Sequence, residues 1–443
     1  MTSIKIKEAR ISFEDYVYRA PMKFRASVVD RVTLLNVVVR VEANDGRVAS
    51  GFGSMTLGNV WSFPSATLSY DQTLGAMKEL AVKIAVITES DGAAGDPIDL
   101  NHHLEPQYLS AAASMPVEQS PIPPLCTLVV ASACDAAIHD AFGKMLGLNC
   151  YGGYGPEYIA HDLSRYLDSR FEGEYLDRYL SERPRASLHV YHLVGALDPL
   201  TDADLKTRID DGLPETLQEW VRADGVDHIK IKLDGANLNW DVDRVLSVNR
   251  ALEDLGQTDD WRYSLDFNER CQDAEYVLDC FARVREAEPR AFCRIEYIEQ
   301  PTNRDLAAAG TPDMHEAAKI KPVVIDESLV DYASLLRARE LGYSGIALKA
   351  CKGQSNALLM GAAAQKFGMF TCVQDLTCPG ASLLQSVGLA AHIPPITAVE
   401  SNARQYVPAA NAPWAAEFPG VFSPQDGNFL TAGMDGPGLG IMR

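Results

Sequence analysis

From about residue 187 onward, short apolar runs alternate with longer segments that have helical periodicity. The runs have the length of strands and are rich in β-branched and aromatic residues. There are eight of them: SLHVYHLV, DHIKIKLD, RYSLDFN, RIEYIEQ, PVVIDE, GIALKAC, MFTCVQDL and ITAVESN. Segments such as VDRVLSVNRALEDL and NALLMGAAAQKFG lie between them and predict helices. Because eight strands separated by helices are the pattern of a (β/α)8 barrel, we expect an α/β barrel over residues 187–407.

The first 150 residues have a different texture and predict an α+β domain. Strand-like runs occur at IKIKEARISF and VTLLNVVVRVEAN, and the second leads into a turn signal at Asn44–Gly46. The stretch GFGSMTLGNVWSFPS, rich in Gly, Ser and Pro, then predicts a loop that carries Trp61. Helical patterns follow in SYDQTLGAMKELAVKIAVIT and CTLVVASACDAAIHDAFGKMLG, and the second is expected to end at Gly147.

Two segments lie outside these domains. The charged, tyrosine-rich stretch over residues 151–186 is interpreted as a connector. The Pro- and Gly-rich tail over residues 408–443 is expected to pack back on the first domain, residues 1–150. A chain of 443 residues is long enough for a barrel and a smaller domain.

The charge balance and the cysteines limit the class of protein. The formal net charge is −20, whereas binding to nucleic acid or an anionic membrane needs clustered Lys and Arg. The nine cysteines form no CxxC pair, which is typical of buried free thiols in a reducing compartment. The N-terminus lacks the apolar core of a signal peptide, and no run of about 18 apolar residues predicts a membrane span. We therefore expect a cytoplasmic protein with neither nucleic acid nor membrane as a partner.

Three acids and three lysines lie where the surrounding runs call for apolar residues. They are Lys230, Lys232, Asp266, Glu299, Asp326 and Lys349. If the two lysines of the KIK run point into the barrel, Ile229 and Ile231 point outward under the helices. Each acid closes its run, and the reactive groups of such barrels lie at the C-terminal ends of the strands, so all six side chains are expected at one mouth. Such charges are costly to desolvate unless a metal compensates the acids and catalysis explains the lysines.

The three carboxylates predict a hard-oxygen metal site. Oxygen ligands without nearby His or Cys favour Mg²⁺, or Mn²⁺, over Zn²⁺. A substrate carboxylate at such a site loses much of its negative charge, so that removal of the neighbouring proton gives an enediolate that the metal and a lysine stabilise. The base has to be a neutral lysine, for which we expect Lys232, because the like charge of Lys230 and a nearby divalent cation lower its pKa. Lys230 is the third candidate catalytic residue and is expected to bind the substrate carboxylate as well. Lys349 would approach from the opposite side, so that two bases face one planar intermediate.

Five short motifs follow one another in a fixed order. They are KIK at Lys230–Lys232, DFN at Asp266–Asn268, EQP at Glu299–Pro301, DES at Asp326–Ser328 and LKACKG at Leu348–Gly353. With these motifs, the chain resembles the enolase superfamily over nearly its whole length, in the muconate-lactonizing-enzyme-like subgroup of the muconate lactonizing enzyme and mandelate racemase family. The helix CDAAIHDAFGKMLGLNCYGGYG and the tail GPGLGI also match the style of that family.

The resemblance implies a modified TIM-type barrel whose mouth is covered by an N-terminal α+β capping domain, completed by the C-terminal tail. The metal ligands it implies for Mg²⁺ are Asp266, Glu299 and Asp326. It implies Lys232 and Lys349 as the acid/base pair and specificity loops in the cap near Met22–Arg25 and Ser54–Ser65. It also implies a homo-oligomer.

The chain departs from the family's usual pattern in places that leave the substrate class open. These are the long connector Tyr151–Pro184, Lys352–Gln354 in place of paired glycines, Gln374–Asp375 after the seventh strand, and Glu400–Asn402 after the eighth. Lys352 is expected to face the helix layer and is assigned no role.

Further candidate substrate contacts are Lys23, Arg25, Trp61, Asn268, Asp375 and Glu400. Asn268 either supports the metal ligands or closes a turn. Glu400 is expected to point inward, where it donates a proton, binds substrate or balances lysine charge. For Asp375, the sequence does not decide which face of the preceding strand points into the barrel. The three cap residues either contact a polar, anionic substrate or lie on a surface loop. His189 and His192 are interpreted as hydrogen-bonded core histidines rather than ligands.

These observations predict an Mg²⁺-dependent enzyme that abstracts the proton α to the carboxylate of a small acid, giving epimerisation or racemisation. Dehydration of a hydroxy acid or sugar acid is the main alternative, and cycloisomerisation is the third. A barrel that binds a metal or ligand without turnover is an alternative of a different class. No Gly-rich phosphate loop follows the last strands, which disfavours a phosphosugar enzyme.

Overall fold

The computed structural model describes residues 3–24, 27–118, 120–256 and 260–441. Within them the strands are β1 (Ile4–Phe24), β2 (Ser27–Ala43), β3 (Val48–Thr56), β4 (Ala94–Gly95), β5 (Ser187–Val194), β6 (His228–Lys232), β7 (Arg262–Asp266), β8 (Ile295–Glu299), β9 (Val323–Ile325), β10 (Gly345–Leu348), β11 (Phe370–Val373), β12 (Ala398–Glu400) and β13 (Asn428–Leu430). The helices are α1 (Asn59–Ser62), α2 (Tyr70–Ser90), α3 (Pro97–Ala113), α4 (Pro124–Leu146), α5 (Leu217–Asp224), α6 (Leu238–Glu253), α7 (Ala274–Ala287), α8 (Pro289–Arg294), α9 (His315–Ala318), α10 (Tyr332–Glu340), α11 (Gln354–Lys366), α12 (Ala381–His392), α13 (Ala403–Tyr406), α14 (Ala412–Ala415) and α15 (Pro419–Phe422). Arg25, a candidate substrate contact, lies outside the described residues.

The eight predicted runs form a closed barrel of parallel strands, β5 to β12 in chain order. Closure comes from the pairing of β12 with β5, in which Glu400 lies opposite Tyr191. The interior at one end is filled by a cluster that includes Tyr191, Tyr297, Val324 and Ala347. This packed interior leaves the C-terminal ends of the strands as the end at which a site is built. The predicted fold class is confirmed.

The N-terminal part is an antiparallel sheet in the order β3-β2-β1-β4, covered by helices. Strands β1 and β2 form a long hairpin whose register runs from Ile4 opposite Ala43 to Phe24 opposite Ser27. The predicted specificity loop at residues 22–25 is therefore wrong for residues 22–24, which continue β1 to the tip of this hairpin. Because β1 is 21 residues long, the hairpin extends far enough for side chains near its tip, such as Phe24, to reach the barrel mouth.

The predicted loop GFGSMTLGNVWSFPS is wrong over its first half, because residues 51–56 belong to β3. Its glycines serve packing: a Cβ on Gly51 would lie 2.0 Å from the carbonyl oxygen of Ala137, and one on Gly53 would lie 2.0 Å from that of Ala133. Glycine inside a strand marks such a close approach of another backbone, here that of α4. The second half forms the short helix α1, which brings Trp61 to the barrel.

Helix α4 joins the two domains. It is long and apolar enough to cross a membrane, but the apolar window lies entirely inside the protein. One side packs on β3, and the other reaches α11, where Asp135 accepts hydrogen bonds of 2.8 Å from the amide and the hydroxyl of Ser355. His139 also contacts the Ser355 hydroxyl, at 2.8 Å. These buried contacts fix the cap relative to the barrel. The helix ends at Gly147 in the left-handed conformation, as predicted.

The tail contacts both domains. Strand β13 pairs antiparallel with β5, so the tail extends the barrel sheet. Farther on, the amide of Leu439 donates to Asp140 of α4 at 2.9 Å, and the amide of Cys150 donates to Gly438 at 2.7 Å. The connector before the barrel consists of short 3-10 turns with buried aromatic residues, among them Tyr151, Tyr154 and Phe171. All nine cysteines are free thiols, and only Cys293 among them is exposed.

Candidate functional site at the barrel mouth

The acids and lysines predicted from the sequence lie at one end of the barrel. Lys232, Asp266 and Glu299 are the last residues of three adjacent strands and lie directly opposite one another in register. Asp326 and Lys349 immediately follow β9 and β10. Since neighbouring strands are about 4.8 Å apart, residues in register on one face place their side chains side by side.

Lys230 is at the centre of the cluster. Its ammonium group lies 2.8 Å from Glu299, 2.8 Å from Glu400 and 3.2 Å from Asp266, and its side chain is 1% exposed. Burial alone lowers the pKa of Lys230, but the three surrounding carboxylates outweigh it and hold the pKa well above its usual value. The surroundings of Lys230 therefore favour its protonated, positively charged form.

The other two lysines pair with the outer acids. Lys232 forms an ion pair with Asp266, and Lys349 lies 2.7 Å from Asp326. Because β6 and β10 are four strands apart in a ring of eight, these two lysines approach the cluster from opposite sides of the barrel. The Lys232 side chain is 18% exposed, so it faces the space above the cluster, unlike the enclosed Lys230.

The acids differ in pKa although they are all buried. Burial and the neighbouring charge of Asp266 raise the pKa of Glu299 to about 8. Burial also raises the pKa of Asp266, but the two lysines beside it outweigh this effect and leave the pKa well below its usual range. For Asp326 the charges of Lys349 and Lys352 likewise outweigh burial and lower the pKa to about 2. Of the three acids, Glu299 is thus the one whose ionisation an additional nearby cation would promote.

Polar side chains hold these acids in place. Asn268, with a φ of 53°, donates to Asp266 from its amide at 2.9 Å and from its side chain at 2.7 Å. The side-chain oxygen of Gln300 accepts from the amide of Asp326 at 2.9 Å, and Gln374 donates to Glu299. Of the two roles considered for Asn268, the support of an acid agrees with these bonds. Gln300 and Gln374 were not among the predicted site residues, although Gln300 lies in the EQP motif and Gln374 directly precedes Asp375.

Lys352 was expected to face the helix layer, and this is wrong. Its ammonium group lies 3.1 Å from a side-chain oxygen of Asp326 and donates to the backbone carbonyl of that residue. The side chain is buried, and burial lowers its pKa. The reason is local: a 3-10 turn over Ala350–Lys352 follows β10, and in such a turn residues three apart lie on the same side. Lys352 therefore points the same way as Lys349.

Trp61 encloses the lysines from the cap and is not on a surface loop. Its ring centroid lies 4.7 Å from the ammonium of Lys349 and 5.7 Å from that of Lys352. Its indole nitrogen donates to Glu327 at 3.0 Å, and its carbonyl accepts from Arg304 at 3.0 Å. Burial and the charge of Asp326 next to it raise the pKa of Glu327 to about 7.

A cavity lies between the cap and the cluster. Its floor includes Lys230, Lys232, Asp326, Lys349, Asp375, Glu400 and Asn402. The walls from the cap include Tyr18, Met22, Phe24, Val29, Val32, Trp61 and Tyr70. Apart from Trp61, none of these cap residues was a predicted site residue: Met22 and Phe24 lie in a predicted loop, Val32 in a predicted strand and Tyr70 in a predicted helix. The alternation of apolar and polar residues along β1 and β2 predicts that many of these cap residues face inward. It does not show that they line a site.

The remaining candidates have different positions. Asp375 and Glu400 line this cavity, and Asp375 accepts from the amides of Thr377 at 3.2 Å and Cys378 at 3.3 Å. Burial and the charge of Glu400 raise the pKa of Asp375 to about 7. Lys23 is exposed and lines a separate, more polar cavity that Asn268 and Lys232 also border.

The two histidines of β5 lie outside this site. His189 is 3.2 Å from Asp227, which is also 2.6 Å from His228, at the N-terminal end of the barrel. Within the described residues, these three form the one group of at least three His, Cys, Asp or Glu side chains whose possible metal-binding atoms all lie within 4.8 Å of one another. They are on the far side of the barrel from the acids and do not take part in the mouth. His192 is buried against Trp220, and burial lowers its pKa to about 3.

The residues at the mouth fit a divalent cation. Asp266, Glu299 and Asp326 supply hard carboxylate oxygens at the ends of three adjacent strands, and each of these acids is paired with at least one lysine. Their oxygens do not all lie within 4.8 Å of one another, because ammonium groups lie among them. Like charges buried together need such compensation, and a divalent ion supplies it with the ligand type it prefers.

The family follows from sequence comparison. A profile of the family described as "Enolase C-terminal domain-like" matches residues 212–442, more than half of the 443-residue chain. The chain belongs to this family. The match confirms the resemblance to the enolase superfamily, and all the acids and lysines of the cluster lie in the matched range. No curated protein matches the sequence.

Solved structures of enolase-superfamily enzymes share the fold over almost the whole chain. The muconate lactonizing enzyme from Pseudomonas fluorescens, in complex with muconolactone, is 18% identical with a TM-score of 0.61, covering 99% of this chain and 96% of that chain. A dipeptide epimerase from Enterococcus faecalis V583, in complex with Mg and L-Leu-L-Tyr, is 17% identical with a TM-score of 0.60, covering 90% of each chain. The N-succinyl Arg/Lys racemase from Bacillus cereus ATCC 14579 is 16% identical with a TM-score of 0.62, covering 99% of this chain and 95% of that chain.

Proposed function

We propose that this protein is an enzyme that removes the proton α to the carboxylate of a small acid and returns it on the other face, which is epimerisation or racemisation. The observation that carries the proposal is the placement of Lys232 and Lys349. They approach one acid cluster from opposite sides of the barrel, each paired with a different outer acid. One base on each side of a planar intermediate is what a 1,1-proton transfer needs.

Asp266, Glu299 and Asp326 would hold Mg²⁺, or Mn²⁺, which when bound would neutralise the substrate carboxylate and the charge that develops as the α-proton leaves. The chain's own groups perform the remaining steps. Lys232 and Lys349 move the proton, one as the base and the other as the acid. Lys230 is a positioning residue in this scheme, because its positive charge holds Glu299 and Glu400 together. Trp61 excludes water from the side of Lys349.

The solved structures with this fold support this class of reaction. Two of them are an epimerase and a racemase, and the crystallised epimerase contains Mg. Their identity to this chain is at most 17%, so the proposal rests on the placement of the lysines and acids here.

One observation favours dehydration of a hydroxy acid as the second candidate. Asp375 lines the cavity, and with a pKa of about 7 part of it is protonated at neutral pH. A neutral carboxyl group is able to protonate a departing hydroxide, which a pure racemase does not require. In that reaction one of the two lysines would remove the α-proton and the other would not act as a base.

The test is α-proton exchange. Candidate acids would be incubated with the protein and Mg²⁺ in D₂O and followed by proton NMR. Exchange with inversion supports the two-base proposal, and a new keto acid supports dehydration. If no acid exchanges and Mg²⁺ does not raise the melting temperature, the result favours the non-catalytic alternative. A cytoplasmic location and a homo-oligomeric state remain predictions from the sequence.

A further inference from the structure

We infer that the cap side of the cavity is a subsite for a bulky apolar or aromatic substituent attached at or next to the α-carbon of the substrate. This inference rests on the proposed function, since it names the class of acid on which the two lysines act. It places polyhydroxylated acids outside the substrate range. The physical basis is the chemistry of the cavity walls.

The walls above the charged floor are apolar. Side chains of the β1–β2 hairpin, of α1 with the residues before it, of the start of α2, of β5 and of the loop after β11 enclose the space: Tyr18, Met22, Phe24, Val29, Val32, Leu57, Val60, Trp61, Tyr70, Leu193 and Leu376. Several of them are less than one-tenth exposed even though they border a cavity. Most of the atoms that line this cavity are apolar, so a substituent that enters it removes its own methylene groups from water, with roughly fourfold tighter binding for each.

The polar groups of these walls are already used within the protein. Asn59 donates at 2.9 Å to the carbonyl of Tyr70 and at 2.9 Å to Thr73, and Thr56 donates to a carbonyl of the barrel at 3.1 Å. The hydroxyl of Tyr70 donates to the carbonyl of Arg31 at 3.1 Å. A sugar acid in this space would lose hydration of its hydroxyl groups without gaining these partners.

The charged residue of the cap wall is also engaged. The guanidinium of Arg31 lies 2.8 Å from Asp71 and stacks 4.5 Å from the ring centroid of Tyr70. It sits at the rim, where it is about half exposed. A substituent that carried a second carboxylate would therefore find no buried positive charge among these cap residues. This favours an uncharged substituent.

The apolar walls begin beside the two proposed bases. The ring centroid of Phe24 lies 5.6 Å from the ammonium of Lys232, and that of Trp61 lies 4.7 Å from the ammonium of Lys349. Each proposed base therefore has an aromatic ring of the cap beside its ammonium group, and a substituent on the carbon that it deprotonates would begin close to that ring. This closeness places the substituent at the α-carbon or one atom beyond it.

Binding and exchange together test the inference. With wild-type protein and Mg²⁺, calorimetry would compare the Kd of 3-phenylpropionate, butyrate and D-gluconate. In D₂O, proton NMR would compare kcat/KM for α-proton exchange of the N-acetyl derivatives of phenylalanine, leucine and alanine with that of D-gluconate. We expect 3-phenylpropionate to bind at least tenfold tighter than D-gluconate, and exchange to rise more than tenfold from the alanine to the leucine derivative.

The outcomes separate the inference from the proposed function. Tighter binding of apolar acids without exchange of any acid would retain the subsite and reject the proton transfer. Exchange or dehydration of D-gluconate at a higher kcat/KM than the N-acetyl acids would retain the chemistry and overturn the subsite. Equal Kd values for 3-phenylpropionate and D-gluconate would also overturn the subsite.

A matched pair of variants on one strand locates the subsite. Val29 lines the cavity and is 8% exposed, whereas the neighbouring Val28 is 59% exposed. Val29→Thr replaces one methyl group of the cavity wall with a hydroxyl group of nearly the same volume. We expect this substitution to weaken 3-phenylpropionate binding about fivefold. Val28→Thr should leave the Kd unchanged. Equal effects of the two substitutions, at unchanged melting temperature, would show that the acid binds elsewhere.

Discussion

The ammonium group of Lys349 lies 4.7 Å from the ring centroid of Trp61, so a lysine of the barrel is covered by an aromatic side chain of the cap. On its other side the same ammonium is 2.7 Å from Asp326. Burial lowers the pKa of Lys349, but the charge of Asp326 outweighs it, and the pKa is raised overall. The lysine would therefore have to lose this favourable pairing before it could act as the proposed base. A cation that took up the charge of Asp326 would remove the pairing, which would couple metal binding to the protonation state of the lysine.

The two lysines should act on opposite faces of the substrate. We expect Lys232→Ala and Lys349→Ala each to lower racemisation by a factor of about 10²–10⁴, the usual contribution of a general base. Each variant should still exchange the α-proton of one enantiomer only, because the remaining lysine reaches one face. Proton NMR in D₂O with each pure enantiomer measures this. Loss of exchange from the same enantiomer in both variants would contradict the two-base arrangement.

Removing the central acid should remove the response to metal. Wild-type protein at an Mg²⁺ concentration 100 times Kd should gain about 2.7 kcal/mol of unfolding free energy, which thermal unfolding detects as a higher Tm. Glu299→Gln keeps the volume and removes one hard anionic ligand, so we expect its Tm to be independent of Mg²⁺. Glu316→Gln, an exposed acid paired with Lys319, is the control and should respond like wild type. A response retained by Glu299→Gln would place the metal elsewhere.

The strand ends could be predicted from the sequence because their signals are local. Asp266 and Glu299 each close an apolar run of period two, and the repeat of such runs fixes both the barrel and the end at which the acids meet. Lys352 was misplaced because the same period was extended beyond β10. There a 3-10 turn begins, and it brings residues 349 and 352 to one side. A change of local conformation within three residues is not visible in the alternation.

The cavity walls could not be predicted because they depend on how two domains dock. Tyr18 and Phe24 are 350 residues or more from Asp375 in the sequence, and all three line one cavity. Their positions follow from the packing of α4 on β3 and on α11, which no single element encodes. Gly51 and Gly53 were the available signal, but glycine is common in loops as well as at close backbone approaches.

That packing makes a prediction about two glycines. A Cβ on Gly53 would lie 2.0 Å from the carbonyl oxygen of Ala133, so Gly53→Ala must push α4 off the sheet. We expect it to cost more than about 3 kcal/mol, as overpacking against backbone does at its upper range. Gly75 lies within α2 with no atom within 4 Å of such a Cβ, so Gly75→Ala should stabilise by about 0.5–1 kcal/mol. Urea denaturation of both variants tests the opposite signs, and equal signs would contradict the close packing.

The histidine pair at the far end of the barrel should make stability depend on pH. The hydrogen bond to Asp227 outweighs burial and raises the pKa of His189 above its model-peptide value of 6.5. Burial raises the pKa of Asp227, but its bonds with His189 and His228 outweigh this and hold the pKa well below its usual range. The contribution of His189 is therefore complete below about pH 6.5 and is lost as the pH rises through its folded-state pKa, whereas that of Asp227 is lost only in acid. His189 is more than one-third exposed, so solvent screening limits the effect to about 1 kcal/mol or less.

Substituting His189 should therefore matter more in mild acid than in base. We expect His189→Asn to lower the unfolding free energy relative to wild type at about pH 5.5, and to lower it less at about pH 8.5, because the wild-type imidazolium is present only at the lower pH. Urea denaturation at the two pH values measures the difference. In an Asp227→Asn background the pH dependence of the substitution should disappear, since the partner charge is gone. If the loss is larger at the higher pH, the imidazole is stabilised in its neutral form and the ion pair is not the source of its stability.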